Sequence, residues 1–476
     1  MDLSHLKPRR ERGSPIYLQL YRRYREAIAS GQLLPGDRVP AVRSLASELN
    51  LSRGTVEAAY QMLVGEGYLV SRGAAGTVVS PRLGALAGTD HVAAIDALPP
   101  TIPRASAGVS TVQRFQLGLP ALDAFPRKTW SRLAGRIVRT MGSEGLFAPD
   151  SAGYEPLRRA VSTYLGVSRG ITCSYDQVFI TTGYRGALDL VVRTLLQPGD
   201  VGWYEEPGYL YARQFLQQSG LRLMPIKVDE EGLNVDSGKR RAEHATFAVV
   251  TPTHQSPMGM ALSLPRRLEL LEWARQRQAW IIEDDYDSEF RYHGRPLPAL
   301  KSLDRDGRVL YTGTFSKVLF PGLSLAYLVV PASQVTRFRE RIAHLPGPGS
   351  ILPQAMIADF IEQGYFARHL RRMRSLYAER RAYLVDALAH TLADRLHVEP
   401  QAGGIQVLAH LQAEQDDKRI VVEAAAHGLE MQALSQWCMR KTSLSGLIMG
   451  FANFSTAKDA RDAVQQLKKV MSAMKR

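Results

Sequence analysis

Apolar positions recur with helical spacing through the first 64 residues of the chain, and in strand-then-helix alternation after about residue 115. In SPIYLQLYRRYREAIASGQLLPGDRVP, Ile16, Leu20, Tyr24 and Ile28 share one helical face after a Ser-Pro start, and Gly31 and Pro35-Gly36 end the run. A second helix is predicted over about residues 41–49, followed by the turn NLSRG. A third runs from about Ser52 to Val64 with Val56, Tyr60 and Leu63 facing inward. GEGYLVSRGAAGTVVS then reads as two short strands around a Gly-rich tip. Three helices and a β-hairpin wing make a winged helix-turn-helix.

Residues 80–111, SPRLGALAGTDHVAAIDALPPTIPRASAGVST, are rich in Ala, Gly, Pro and Thr and hold no period, which predicts a linker. Beyond it DQVFITTG precedes RGALDLVVRTLL, DVGWYEEPG and LRLMPIKVD read as strands, and TFAVVTPTH precedes PRRLELLEWARQR. Then come AWIIEDDYD, RVLYTGTFSK and LAYLVVP. Such alternation implies an α/β fold, a mostly parallel sheet with helices on both faces. After about residue 353, longer helices and a few strands suggest a smaller α+β part. The predicted organisation is a winged-helix domain at 1–80, a linker at 81–112, a large domain at 113–352 and a small domain at 353–476.

Composition narrows the class. At 476 residues the chain has room for roughly two to four domains. Its 45% hydrophobic and 22% charged content is that of a globular protein rather than a disordered one. The formal charge of +14 favours an anionic partner, and residues 1–82 carry twelve Lys/Arg against seven Asp/Glu, the densest excess in the chain. Cys173 and Cys438 stand far apart, outside any CxxC or Cys/His cluster, so neither a disulfide framework nor a metal site is expected. MDLSHLKPRRERGSPIY lacks the apolar core of a signal peptide, and no 18-residue apolar run occurs; a cytoplasmic protein with no membrane partner is expected.

YTGTFSKVLFPGLSLAY, residues 311–327, sets Lys317 after a strand, behind two hydroxyls and ahead of a Pro-Gly turn. Alone, such a lysine is usually a solvated surface residue. Its companions change the weight. IIEDDYDSEF ends another strand, and open α/β sheets collect ligands at the carboxyl ends of their strands. There Asp284 suits a protonated ring nitrogen and Tyr286 a phenolate oxygen. In TTGYRGALDL, Gly183, Tyr184 and Arg185 occupy a strand-to-helix turn, where free N–H groups and the helix dipole attract anions. Tyr209 in EEPGYLY follows a further strand and is placed to stack on a flat ring. Each residue has an ordinary reading as a cap, a turn or packing. Together a lysine nucleophile, an anion cradle, a ring-nitrogen carboxylate and an aromatic lid are what pyridoxal phosphate requires.

The stretches SPIYLQLY, PGDRVPAVRSLASELNLSRGTVEAAYQMLVGEGYL, TTGYRGALDL, EEPGY, TPTHQSPMG, IIEDDYDSEFRYHGRPLPAL and GTFSKVLFPGL carry a resemblance that covers nearly the whole chain. It resembles the MocR/GabR-type transcriptional regulators, which fuse a GntR-like winged helix to a fold-type I, PLP-dependent transferase-like domain. The resemblance implies a Schiff base, the internal aldimine, at Lys317, with Asp284 on the ring nitrogen and Tyr286 on the phenolic oxygen. It also implies that Thr314 and Ser316 join the phosphate cup, and that the protein is a head-to-tail homodimer. In the recognition helix Arg53, Thr55 and Glu57 lie in the first turns, which reach base edges, while Ser52 and Thr55 suit phosphate contacts. Arg43 matches an arginine that GntR-like domains use on DNA, and the wing tip with Arg72 and Gly76 is placed for the minor groove. One winged helix has modest specificity, so a dimer on double-stranded DNA with two half-sites is expected.

Two departures bear on chemistry. The family pattern has an arginine seven residues after the lysine, where this chain has Ser324. Losing one charge-assisted contact weakens binding roughly 10- to 100-fold unless another cation replaces it, and Arg185 is the candidate. Ser256 in SPMG stands where aminotransferases place an asparagine. GGIQVL and SGLIMGFANFS show no clear arginine for a substrate carboxylate, although Arg440 and Lys441 are near in sequence, and a transaminase needs such an anchor. Three readings remain: a regulator whose aminotransferase-like domain senses pyridoxal phosphate, alone or with an amino compound as effector; a working aminotransferase with an appended DNA-binding domain; and a cofactor-independent regulator using the fold as a dimerisation scaffold. The first is favoured, without full transaminase turnover.

Overall fold

The structure, a computed structural model, describes residues 15–81, 112–147, 150–292, 297–345, 347–412 and 415–474. Its contacts divide the chain into two units, Met1–Gly108 and Val109–Arg476. Nearly all of the stretch expected to be a linker lies outside the described residues.

In the first unit, helices α1 (Ile16–Ala29), α2 (Val42–Leu49) and α3 (Arg53–Gly65) close around Leu20, Tyr24, Leu45, Val56 and Leu63. The Tyr24 and Tyr60 rings meet edge to face at 5.6 Å, and their hydroxyls pair at 3.0 Å. Strands β1 (Arg38–Val39), β2 (Leu69–Ser71) and β3 (Thr77–Val79) form an antiparallel sheet in the order β1-β3-β2. The hairpin read from the sequence is therefore one strand short, because a two-residue strand shows no period.

The second unit holds β4 (Val178–Thr181), β5 (Val201–Glu206), β6 (Arg222–Asp229), β7 (Gly232–Leu233), β8 (Phe247–Val250), β9 (Trp280–Asp285), β10 (Val309–Thr314) and β11 (Ala326–Val329) in one sheet. The order is β4-β11-β10-β9-β8-β5-β6-β7. The run from β10 through β9, β8 and β5 to β6 is parallel, while β11 is antiparallel to both neighbours. Alternate strand residues supply two cores: Phe179, Ile282, Leu310 and Leu328 on one face, Val178, Ile180, Tyr311 and Val329 on the other. Helices cover both faces, so strands such as Phe247–Val250 are buried throughout. A smaller antiparallel sheet, β12 (Leu396–Val398), β13 (Gln406–Leu411), β14 (Gln432–Ala433) and β15 (Gly446–Gly450), runs in the order β12-β13-β15-β14. Leu396, Val407 and Met449 from it share a core with the helices Tyr365–Thr391 and Ala457–Ala473. Among the described residues no helix is long and apolar enough to cross a membrane, and no cluster of three His, Cys, Asp or Glu residues is arranged to hold a metal ion.

Strand β9 places three consecutive acids, Glu283, Asp284 and Asp285, inside the protein. Alternation sends Glu283 and Asp285 to one face and Asp284 to the other. Glu283 accepts from the backbone N–H groups of Leu300 (2.7 Å) and Lys301 (2.8 Å), although burial still pushes its carboxyl up to about 7. Asp285 lies 3.1 Å from Arg169 Nε and accepts from the Tyr311 hydroxyl at 2.5 Å. Arg169 also neighbours Glu289 at 3.7 Å. Removing one partner of such a buried pair strands the other charge, so Arg169→Leu is expected to cost about 3–5 kcal/mol in urea unfolding. A loss below about 1 kcal/mol would contradict this account of how β9 is held.

Candidate functional site

Three buried residues aim Lys317. After β10, Phe315, Val318 and Leu319 turn into the core, the Leu319 N–H donates to the Phe315 carbonyl at 2.8 Å, and the Phe315 N–H donates to the Leu325 carbonyl at 3.0 Å. Lys317, between them, is left half-buried with its Nζ 4.3 Å from the centre of the Tyr286 ring and 5.2 Å from that of Tyr209. Desolvation pulls the pKa of its amine down, against the opposing pull of Asp284 and Asp287. Burial pushes the Asp284 carboxyl up to about 7, and the Lys317 ammonium offsets part of that rise. The amine thus gives up its proton more easily than that of an exposed lysine, with Asp284 close enough to interact with it electrostatically.

The hydroxyl of Tyr286 lies 3.0 Å from His254 Nδ1, which is also 3.1 and 3.2 Å from the two Asp287 oxygens. His254 and Asp287 escaped the sequence reading, although Asp287 lies in the quoted EDDYDSEF. Glu205 was also missed. It accepts from the Thr251 N–H (3.1 Å), the Thr251 hydroxyl (2.6 Å) and Gln255 Nε2 (3.1 Å), fastening the end of β5 to the loop after β8. Burial pushes its carboxyl up to about 7. Tyr209, N-terminal to the helix Leu210–Gln218, is held by the Tyr204 hydroxyl, which donates to its carbonyl at 2.5 Å.

The residues expected at the anion cradle divide. Gly183 opens the helix Gly183–Leu195 at φ 69°, in the left-handed region that a glycine adopts freely. A Cβ there would sit 3.6 Å from Ser324 Oγ, so Gly183 and Ser324 share a corner. Thr314 ends β10 and its Oγ1 accepts from the Ser316 N–H at 3.2 Å, one residue before Lys317. The Tyr184 hydroxyl is buried beside Asp284 and interacts with that carboxylate. Arg185, expected as a substitute phosphate cation, points toward Phe215. It is exposed, and its guanidinium lies 5.5 Å from the centre of the Phe215 ring, where a cation–π contact holds it.

In the first unit Arg53 and Glu57 are exposed one turn apart on α3, and Arg43 is exposed on α2. Ser52 caps α3: its Oγ accepts from the Thr55 N–H at 3.1 Å and pairs with Thr55 Oγ1 at 2.7 Å. Ser52 Oγ thus satisfies a free N–H of the helix's first turn, and Thr55 Oγ1 packs against it. Arg72 is exposed on the wing. A Cβ at Gly76, φ 91°, would sit 2.9 Å from Arg38 Nε, so Arg38 from β1 lies across the wing tip. Arg38 was missed because its strand was.

A winged helix and an aminotransferase-type sheet with a lysine at its ligand edge are thus joined in one chain. The chain matches the family "Bacterial regulatory proteins, gntR family" over residues 16–79 and "Aminotransferase class I and II" over residues 123–442. It is 36% identical to the probable rhizopine catabolism regulatory protein MocR of Rhizobium meliloti, over 98% of this chain and 95% of that one. It is 32% identical to the pyridoxine biosynthesis regulator PdxR of Corynebacterium glutamicum, over 92% of each. Among solved structures it resembles the Pyrococcus horikoshii kynurenine aminotransferase complexed with PMP, at 25% identity and TM-score 0.71, covering 83% of this chain and 99% of that one. The chain belongs to the MocR-type transcriptional regulators, GntR-family DNA-binding proteins with an aminotransferase class I/II domain.

Pyridoxal phosphate is the cofactor of this fold, and the ring side of the site fits it. Lys317 would meet the aldehyde, Asp284 the pyridine nitrogen, Tyr286 the phenolic oxygen and Tyr209 the ring face, with the buried Tyr184 hydroxyl beside Asp284. When bound, the cofactor supplies an electrophilic carbonyl that an amine captures reversibly. The lowered pKa of Lys317 has its own test in the full-length protein without cofactor. In competitive acylation read by peptide mass spectrometry, Lys317 should reach half-reactivity at a lower pH than exposed lysines, and Asp284→Asn should lower it further by removing the charge that favours the ammonium. A midpoint equal to that of surface lysines would contradict the assignment.

Proposed function

We propose that this regulator senses pyridoxal phosphate, alone or together with an amino compound, through Lys317, and transmits occupancy to its winged helix. The observation that carries the reading is the Lys317 amine, 4.3 Å from the centre of the Tyr286 ring and 5.2 Å from that of Tyr209, in electrostatic reach of buried Asp284. None of these polar groups is needed to pack a sheet. The relative named as a pyridoxine biosynthesis regulator supports an effector of this chemistry.

On this reading the domains run 1–80, 81–112, 113–352 and 353–476. Arg43, Arg53, Glu57, Arg72 and Gly76, with Ser52 and Thr55 at the cap, form the DNA surface. The protein acts in the cytoplasm as a head-to-tail homodimer on two half-sites. Ligand binding alters DNA affinity only by favouring one of two arrangements, which requires different affinities for them. Sensing is favoured over turnover because Arg440 and Lys441, the cations near in sequence to the expected carboxylate anchor, are exposed on a surface depression they share with Asp416 and Asp417.

The direct test adds pyridoxal phosphate to the purified full-length protein and records the near-ultraviolet and visible band of lysine-bound cofactor, with Lys317→Ala beside it. A saturable band present in the wild type and absent in Lys317→Ala is expected, and Asp284→Asn should shift or weaken it. An unchanged band in Lys317→Ala would move the chemistry to another lysine and sink the proposal.

A further inference from the structure

The two ends of the Lys317 site differ in charge. Thr181 of β4, Ala326 of β11 and Thr314 of β10 lie side by side in the sheet. From this line the chain leaves β4 into Gly183, enters β11 from Ser324, and leaves β10 into Ser316 and Lys317. Gly183, Thr314, Ser316 and Ser324 therefore form one corner, and all four are uncharged. Ser324, at φ 49° and ψ 39°, is exposed there. Arg185, in the first turn of the adjoining helix, turns its guanidinium onto Phe215.

A phosphate brings roughly −1.5 to −2 charges at neutral pH. The helix end at Gly183 offers about half a positive charge, a factor of under about ten in affinity at an exposed position. Hydroxyls at such a corner mostly replace water that a phosphate already binds, so their net gain is small. At the other end Asp284 and the Tyr184 hydroxyl are withdrawn from water, where pairing with a ring is worth most.

We propose that the site selects the aldehyde and pyridine ring of its ligand and is nearly indifferent to the 5′-phosphate, taking phosphorylated and unphosphorylated pyridoxal-type aldehydes alike. The inference rests on the reading of Lys317 as the residue that captures the carbonyl. In that capture the amine lone pair adds to the aldehyde carbon, a C=N bond replaces C=O, and the carbonyl oxygen leaves as water with the two amine hydrogens. No electron is gained or lost. The regulator then responds to the pool of such aldehydes rather than to the phosphorylated member alone.

The test titrates full-length protein with pyridoxal phosphate and with 5′-deoxypyridoxal, which lacks the phosphate and the hydroxyl through which pyridoxal closes on its own aldehyde. Lys317→Ala is the control for both. Dissociation constants within about tenfold of each other are expected. Ser324→Arg should tighten the phosphorylated ligand roughly 10- to 100-fold and leave 5′-deoxypyridoxal unchanged. If that variant does not fold, the wild-type ratio decides alone. A wild-type preference for the phosphate well beyond tenfold would overturn the inference while leaving Lys317 as the sensor, with a cation from elsewhere, such as a second copy of the chain, completing the corner. No Lys317-dependent band with either compound would overturn the sensor reading and this inference with it.

Discussion

The pairing of β10 with β9 on one side and β11 on the other sets Thr312 beside Asp284 and Thr314 beside Ala326. Every turn that carries a functional group leaves the sheet from this edge. A one-residue slip of β9 would send Asp284 to the face of Arg169 and bring Asp285 to Lys317. The register is held by burial on both faces, since Ile282 and Leu310 pack on one core while Tyr311 and Val329 pack on the other. The place of Lys317 beside Asp284 is thus a consequence of which strand residues must face the core.

The same constraint explains why so many ionisable groups tolerate burial. Asp285 has Arg169 and Tyr311; Glu283 has two backbone N–H groups; Glu205 has Thr251 and Gln255. Each is satisfied by the protein itself. Asp284 and the amine of Lys317 differ in lacking a backbone or guanidinium partner: they attract each other, with the Tyr184 hydroxyl beside the carboxylate and aromatic rings beside the amine. A buried acid raised to about 7 beside an amine lowered in pKa is a pair that a ligand with a basic ring nitrogen and a carbonyl can relieve.

The main elements of the fold were legible because their periods are long and their punctuation strong: α1 and α3 by apolar spacing, the parallel strands by apolar runs ending in TTG, EDD and TFSK. Lys317, Asp284, Tyr286 and Tyr209 could be singled out as a candidate site because strand ends collect ligands, and the structure brings them together. What escaped depended on direction or on contacts across long sequence gaps. His254 meets Tyr286 from 32 residues away, and Glu205 meets Thr251 from 46. A place at a helix start does not give a side chain's direction: the exposed Arg185 guanidinium lies 5.5 Å from the centre of the Phe215 ring. Ser52 also caps its helix, a role that residue type alone does not separate from a phosphate contact.

Coupling between the two units is the central claim, and DNA affinity is its most direct readout. A duplex selected by the protein from random sequence would be titrated by fluorescence anisotropy with and without saturating pyridoxal phosphate, using wild type and Lys317→Ala. The account predicts a change of about 5- to 150-fold in the wild type, in either direction, and none in Lys317→Ala. Equal affinities for the wild type in both conditions, with the cofactor shown to be bound, would contradict it.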